Sequence, residues 1–217
     1  GGPNHDENLL VGVTLPGVHA LVVGSNRHVA WGFTNVSGDF ADHVIIEVDP
    51  QDDSRYLTPD GPEAFGMVVE EIAIKGDRSE RLTLRTTRWG AVVAKDSQGR
   101  PLALRWPALD PDIVNLNLFD MPGARTIDDA MDIMRHWYGP PQNAMLADSS
   151  GRVAWVMTGW VPDRVGFDNR IPASWAKPGV GWRAMLPDSE RPSLIDSADG
   201  VIFSANQRMI PFEPSRK

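Results

Sequence analysis

The chain has 217 residues, 41% of them hydrophobic and 23% charged, which is typical of a soluble folded protein rather than of a disordered or fibrous one. Acidic side chains outnumber basic ones by 29 to 21, so the overall field repels nucleic acid, which is therefore not an expected partner. The absence of cysteine excludes disulfides, thiolate metal sites and cysteine nucleophiles. No apolar run is long enough to cross a bilayer, so no membrane span is expected.

The first half of the chain has the pattern of short strands separated by turns. Its apolar segments are rich in Val, Ile, Leu and aromatic residues, and turn signals such as Pro16-Gly17 and Ser25-Asn26 separate them. Residues 82–86 alternate apolar and polar side chains, as a half-buried strand does. The predicted strands are 9–15, 19–24, 28–33, 43–48, 67–76, 80–87, 89–94 and 101–106.

A single helix is predicted from Thr126 to Tyr138. Thr126 and Asp129 form a capping-box pattern at its start. Apolar side chains then recur at helical spacing, which predicts one buried face, and Gly139-Pro140-Pro141 ends the segment. The residues of the predicted buried face are Ile127, Ala130, Met131, Met134 and Tyr138.

Two more strands are predicted after the helix, over 142–148 and 152–160, around a turn from Asp148 to Gly151. Residues 161–200 are rich in Pro and Gly and show little periodicity. They predict an ordered, irregular loop region held by Trp175 and Trp182. Together these elements predict a strand-dominated α+β architecture in one domain over 1–217.

Generic catalytic motifs do not identify a function. The five histidines, including His28, His43 and His136, have neither metal-ligand nor triad spacing. His28 and His43 lie in strand patterns, and His136 is predicted on a solvated helix face. The chain contains no G-x-S-x-G elbow, no P-loop and no GxGxxG, so the hydrolases and nucleotide-binding proteins that carry these motifs are not supported.

Several strings, taken in chain order, resemble the penicillin amidase (penicillin acylase) family. The longest is VGVTLPGVHALVVGSNRHVAWGFTN, which is followed by GDFAD. RTTRWGAVV and ALRW resemble later family segments, and PPQNAMLADSSGRVAWVMTGWVPDR and SANQR resemble its P-x-Q-N and T-A-N-N-R blocks. These strings occupy residues 11–35, 38–42, 85–93, 103–106, 140–164 and 204–208.

The resemblance implies an N-terminal-nucleophile (Ntn) hydrolase and makes this chain an internal fragment of a penicillin amidase β chain with part of an αββα fold. In that family the nucleophile is the first residue of a processed chain, a serine activated by its own α-amino group. Residue 1 here is Gly1, which has no hydroxyl, so this chain is expected to lack the nucleophile and to be inactive by itself. Ser25, Ser37 and Ser204 are each explained by a turn or a strand end.

Amide hydrolysis needs donors directed at the oxyanion of the tetrahedral intermediate. By its place in PPQNAMLAD, Asn143 matches a family asparagine whose side-chain amide is such a donor. Asn35, after AWGFT, matches a position whose backbone N–H is the second donor. For an isolated asparagine, a turn or strand-end role would be the better interpretation.

Two further features follow from the resemblance. Arg164 in VPDR matches an arginine near the active site, where the resemblance implies that it fixes the oxyanion asparagine or the substrate; an exposed loop arginine is an equal alternative. Asp39, Ala41 and Asp42 offer two carboxylates and a carbonyl that suit a structural calcium ion, whereas solvated loop acids are the other interpretation. No organic cofactor is expected.

The function implied by the resemblance is hydrolysis of a linear amide, in a penicillin or cephalosporin side chain or an acyl-homoserine lactone. The partners implied are the amide substrate, the upstream β-chain segment and the α chain produced by autocatalytic cleavage, in a periplasmic or secreted protein. His19, Ala91 and His43 depart from the family pattern and leave the acyl preference open. The alternative function is a noncatalytic, strand-rich binding or scaffold domain of the same fold.

Overall fold

The computed structural model describes residues 9–209 and confirms the strand-rich α+β class. The strands of the first half are β1 (Val11–Val13), β2 (Val23–Ser25), β3 (Val29–Asn35), β4 (Asp42–Ile45), β5 (Val48–Asp49), β6 (Asp52–Thr58), β7 (Gly61–Ala64), β8 (Gly66–Ile72), β9 (Glu80–Thr87), β10 (Gly90–Lys95) and β11 (Pro101–Arg105). The helix α1 (Ile127–His136) follows. The remaining strands are β12 (Gln142–Asp148), β13 (Val153–Thr158), β14 (Pro162–Val165), β15 (Ala173–Ser174), β16 (Gly181–Met185) and β17 (Ser193–Ile195), and short 3₁₀-helices span Pro107–Leu109, Asn117–Gly123 and Asp188–Glu190.

The contacts within the chain group into two compact units. Among the described residues, the first unit takes those up to 39, 111–161 and those from 185 onward, and the second takes 40–110 and 162–184. The single domain predicted over 1–217 stays a prediction, because a grouping of contacts does not by itself establish whether the two units fold separately.

The first unit is built on a six-stranded sheet in the order β1-β2-β3-β12-β13-β17, with antiparallel neighbours throughout. One face of β3, β12 and β13 packs against α1, and the side chains between them are almost fully buried. Four of the five residues predicted for the buried helix face lie there, whereas Tyr138 lies beyond the end of the helix and is exposed. The core of this unit includes Val29, Trp31, Ile127, Ala130, Met131, Met134, Ala144, Leu146, Ala154 and Val156.

The helix begins at the predicted capping box. The Thr126 hydroxyl accepts a hydrogen bond from the Asp129 N–H, and the Asp129 carboxylate accepts from the backbone N–H groups of Arg125 and Thr126. These bonds, that from Arg125 first, lower the pKa of Asp129 below its usual range. The helix ends two residues earlier than predicted, because Trp137 is already extended.

The second unit contains a six-stranded sheet in the order β15-β4-β11-β10-β9-β8, in which only the β15–β4 pairing is parallel among the described residues. Smaller sheets pair β14 with β16 and β5 with β6 and β7. Aromatic side chains form much of its core: Tyr56 and Trp175 are buried, and the rings of Trp89 and Trp182 lie 6.2 and 5.9 Å from that of Trp175.

Several short strands differ from the prediction. The β6–β7 hairpin was not predicted, because its sequence is rich in charged residues and only Tyr56 and Thr58 are buried along β6. Residues 161–200 were predicted to be irregular, yet they contain β14 to β17. Each of these strands has two to five residues and pairs with a partner that local periodicity does not reveal.

The only α-helix among residues 9–209 is ten residues long. Within that range no helix has the length and apolar character needed to cross a membrane.

Candidate active site

The ends of β3 and β12 bring together the two asparagines predicted for the oxyanion site. Asn35 is the last residue of β3 and lies opposite Gln142, the first residue of β12. The next pair in the register joins Thr34 to Asn143. Because directly opposed residues of an antiparallel pair project from the same face, the Thr34 and Asn143 side chains are neighbours.

The Asn143 carboxamide is buried and hydrogen-bonded within the chain. Its Nδ2 lies 3.1 Å from the Asn35 carbonyl oxygen and 3.2 Å from each hydroxyl of Thr34 and Ser204. Its Oδ1 accepts a 2.9 Å hydrogen bond from the Trp155 indole N–H. Only 1% of Asn143 is exposed, and the two amide hydrogens therefore have three acceptors within reach.

Ser204 belongs to this same polar cluster. Its hydroxyl lies 2.6 Å from that of Thr34, so one of the two donates to the other. The contacts of Ser204 are with a hydroxyl and an amide, neither of which is a general base. That Ser204 does not replace the nucleophile stays a prediction, and Gly1 lies outside the described residues.

An apolar cavity of about 540 Å³ opens beside Asn35. Phe33 lines it and stacks on Trp137 with 5.3 Å between ring centroids. Side chains along a strand alternate between its two faces, so Phe33 and Asn35 project toward the cavity and Thr34 projects away from it. Its walls also include Leu15, Val18, Val22, Val23 and Phe119, with His19, Asn115 and Gln142 as polar members.

In the second unit the structure brings Arg164 together with Asp42. The Arg164 Nε lies 2.7 Å from Asp42 Oδ2, and the Trp182 indole N–H donates to the same oxygen at 2.5 Å. The guanidinium also lies over the Trp182 ring, 5.8 Å from its centroid. Exposure is only 4% for the Asp42 side chain and 14% for Arg164, so neither the exposed-arginine alternative nor the solvated-acid alternative describes this pair.

The residues predicted for calcium do not make a complete metal site. Within 9–209 there is no group of three or more His, Cys, Asp or Glu side chains that could hold a metal ion. Calcium requires six to eight oxygen ligands, whereas Asp39, Ala41 and Asp42 would supply about three to five. One carboxylate oxygen of Asp42 already accepts from Arg164 and Trp182. Asp39, Ala41 and Asp42 therefore do not by themselves supply a complete set of calcium ligands.

The histidines of the described chain have varied surroundings. The His28 ring contacts Arg125, and His136 lies on α1 beside Asp132 and Asp188 with 55% of its side chain exposed, as predicted for a solvated face. His19 lines the apolar cavity.

Three site residues were not predicted from the sequence: Thr34, Trp155 and, as a hydrogen-bonding partner, Ser204. Thr34 and Ser204 stand inside strings used for the family resemblance, directly before Asn35 and at the start of SANQR. That position was the available signal, but hydroxyl residues are too common at strand ends for it to identify a cluster.

The chain is similar over nearly its whole length to known acylases. A model of the penicillin amidase family matches residues 5–216. An acyl-homoserine lactone acylase QuiP from Pseudomonas fluorescens is 29% identical over 206 residues, which make up 92% of this chain and 25% of that protein. A penicillin acylase 2 proenzyme from a Pseudomonas species is 27% identical over 204 residues, covering 93% of this chain and 26% of that protein.

The fold is similar to that of a thermostable penicillin G acylase from Alcaligenes faecalis. The TM-score is 0.78 at 19% identity, over 97% of this chain and 40% of the other, which shows a shared fold. The chain spans about a quarter of the length of the curated relatives it matches. Because the family model matches residues 5–216, the chain belongs to the penicillin amidase family.

Proposed function

We propose that this chain is part of an enzyme that hydrolyses a linear amide, and that it supplies the acyl-group cavity and the oxyanion-stabilising side of the active site. The observation that carries the proposal is the position of the apolar cavity directly beside Asn35. A volume of about 540 Å³ lies within the usual range of small-molecule sites. Relatives named as acyl-homoserine lactone and penicillin acylases agree with a substrate that carries an acyl group.

In the proposed reaction an N-terminal serine from the upstream part of the full-length protein attacks the amide carbon. Its α-amino group takes the hydroxyl proton and passes it to the leaving amine, and water then hydrolyses the acyl ester. The intermediate places negative charge on the former carbonyl oxygen. The proposed donors to that oxygen are the side-chain amide of Asn143 and the backbone N–H of Asn35. Direct donation by the Asn143 carboxamide would require one of its hydrogens to leave an acceptor inside the chain.

The cavity favours an aliphatic or aromatic acyl group, because most of the residues that line it are apolar. Each buried methylene group contributes about 0.8 kcal/mol, which corresponds to roughly a fourfold change in kcat/KM per methylene while the cavity has room. The proposed enzyme therefore prefers longer acyl chains over acetyl.

Val23→Trp in the full-length protein is expected to reduce this preference. Val23 lines the cavity from β2 and is 46% exposed, so the larger side chain can fill the cavity without disrupting the core. Loss of space for about three methylenes would lower kcat/KM for a decanoyl amide by roughly 50-fold. For a butanoyl amide, kcat/KM would stay within about threefold of the wild-type value.

Val11→Trp is the matched control. Val11 lies on the same hairpin, is 58% exposed and is not among the cavity residues, so both substrates should be hydrolysed as by the wild type. Equal loss of activity toward short and long acyl chains in Val23→Trp would contradict the acyl-cavity assignment. A processed wild-type protein that hydrolyses no amide would favour the scaffold alternative.

Calcium binding at Asp39, Ala41 and Asp42 stays a prediction that requires further oxygen ligands from the rest of the full-length protein. Calorimetric titration of the metal-stripped full-length protein is expected to show calcium binding that Asp39→Ala weakens by about tenfold or more. Asp53→Ala removes an exposed carboxylate on β6 and is the control. Absence of binding, or equal binding by Asp39→Ala and wild type, would refute the calcium site.

Export to the periplasm or medium, self-cleavage and pairing with an α chain belong to the same proposal. Their support is the resemblance to the family and, for a precursor, the proenzyme among the relatives.

A further inference from the structure

The strand β12, which carries Asn143, pairs with β3 on one side and with β13 on the other. In the β13 register, Met157 lies opposite Asn143, and Trp155 lies two residues away on the same face of the sheet. Such diagonal neighbours are within reach of an aromatic side chain. The backbone register therefore brings the Trp155 indole to the Asn143 carboxamide.

Trp155 lies on the face of the sheet opposite to α1. Its neighbours Ala154 and Val156 belong to the core beneath the helix, and side chains alternate along a strand, so Trp155 projects to the other side together with Asn143. Trp155 is nevertheless only 2% exposed and Asn143 only 1%. The 2.9 Å hydrogen bond from the indole N–H to Asn143 Oδ1 is therefore buried, and loss of its donor would leave a buried acceptor unpaired.

We infer that Trp155 is a positioning residue of the oxyanion site, which orients the Asn143 carboxamide so that its amide hydrogens face the end of β3. This inference rests on the function proposed above and adds to it the group that holds the side-chain donor. Asn143 is the residue that contacts the oxyanion, and Trp155 acts through it.

The two ends of the carboxamide have opposite hydrogen-bonding roles, because Nδ2 only donates and Oδ1 only accepts. The indole N–H also only donates, so a carboxamide turned end for end would place two donors against each other. The same turn would set Oδ1 against the Asn35 carbonyl oxygen, which now lies 3.1 Å from Nδ2. The hydroxyls of Thr34 and Ser204 can donate or accept and select neither orientation. Trp155 and the Asn35 carbonyl therefore select the same one.

The selected orientation places the amide hydrogens of Asn143 beside Asn35, whose backbone N–H is the other proposed donor. A donor that is already oriented needs no reorganisation when the oxyanion forms. The bond from Trp155 to Oδ1 also polarises the amide, which makes its N–H groups stronger donors. Loss of the indole N–H should therefore weaken stabilisation of the transition state more than binding of the substrate.

The test replaces Trp155 in the full-length protein by Phe, which keeps an aromatic ring, and by benzothienylalanine, which keeps the indole shape with sulfur in place of the N–H. With rates normalised to titrated active sites, each change is expected to lower kcat by roughly 3- to 10-fold, with KM changed less than about twofold. The benzothienyl side chain keeps the test valid if the smaller Phe ring leaves a cavity that prevents folding.

A double-mutant cycle with Asn143→Ala separates positioning from a purely structural role. If Trp155 acts through the Asn143 carboxamide, Trp155→Phe should lower kcat in the wild-type background and leave that of Asn143→Ala within about twofold. An equal fold-loss in both backgrounds would overturn the inference. Wild-type kcat in the folded and processed Trp155 variants would also overturn it.

Trp31→Phe is the matched control. Trp31 is 3% exposed, lies on β3 of the same sheet, and donates its indole N–H to the Leu21 carbonyl at 2.9 Å. This substitution should lower stability and keep kcat per active site within about twofold of the wild type. A loss of kcat in Trp31→Phe equal to that in Trp155→Phe would contradict a specific role for Trp155. Failure of the proposed function is distinguishable, since the wild type itself would then hydrolyse no amide.

Discussion

Asn143→Ala in the full-length protein is expected to lower kcat by roughly 100- to 1,000-fold while KM changes far less, the penalty typical of a lost oxyanion stabiliser. Alanine removes the bond to the Asn35 carbonyl and both bonds to the hydroxyls of Thr34 and Ser204 in one step. The substitution would therefore remove both actions that Asn143 can have in the transition state, direct donation to the oxyanion and positioning of Asn35. Steady-state kinetics normalised to titrated active sites would measure the effect.

Asn26→Ala is the matched control for a structural asparagine. Asn26 is also buried, and its side chain bonds the Met121, Pro122 and Ala124 carbonyls at a turn of the same unit. Its loss should lower stability while kcat per active site stays near the wild-type value. If Asn143→Ala behaves like Asn26→Ala, or turns over at the wild-type rate when folded and processed, Asn143 has no part in the oxyanion site.

Arg164→Ala is expected to destabilise the second unit by about 3–5 kcal/mol, because it leaves the Asp42 carboxylate buried without its cationic partner. In the backbone register of β4 and β11, Asp42 lies opposite Arg105. Hydrogen exchange of the β4 and β11 amides would therefore report the loss of stability. Asp42→Asn combined with Arg164→Met removes both charges and should recover most of the stability.

The control for Arg164→Ala is Arg183→Ala. Arg183 pairs with Asp163 at 2.6 Å but is 72% exposed, so its removal should cost at most about 1 kcal/mol. The prediction that Arg164 also binds substrate is tested with the stability-restored double variant: a raised KM at unchanged kcat would support it. A loss below about 1 kcal/mol in Arg164→Ala would show that the Asp42 pair is not stabilising.

The sequence by itself determined the features that depend on neighbouring residues. The capping box at Thr126 and the buried face of α1 involve residues within one or two helical turns, so periodicity and side-chain chemistry are sufficient to predict them. β3 and β12 are long, apolar and bounded by turn signals, and each was predicted close to its bounds. The ordered strings around Asn35 and Asn143 also indicated the family that the family model then matched.

Only the tertiary structure decided which side chains meet. The Asn143 side chain is 108 residues from Asn35 and 61 from Ser204 along the chain, and Arg164 is 122 residues from Asp42. No local pattern specifies such contacts, since strand order and register bring these residues together. Short strands such as β15 also depend on the tertiary structure, because two residues form a strand only when a distant partner supplies the hydrogen bonds. The residue types at the site were therefore readable from the sequence, whereas the direction of the Asn143 hydrogens and the partner of Asp42 depend on the folded chain.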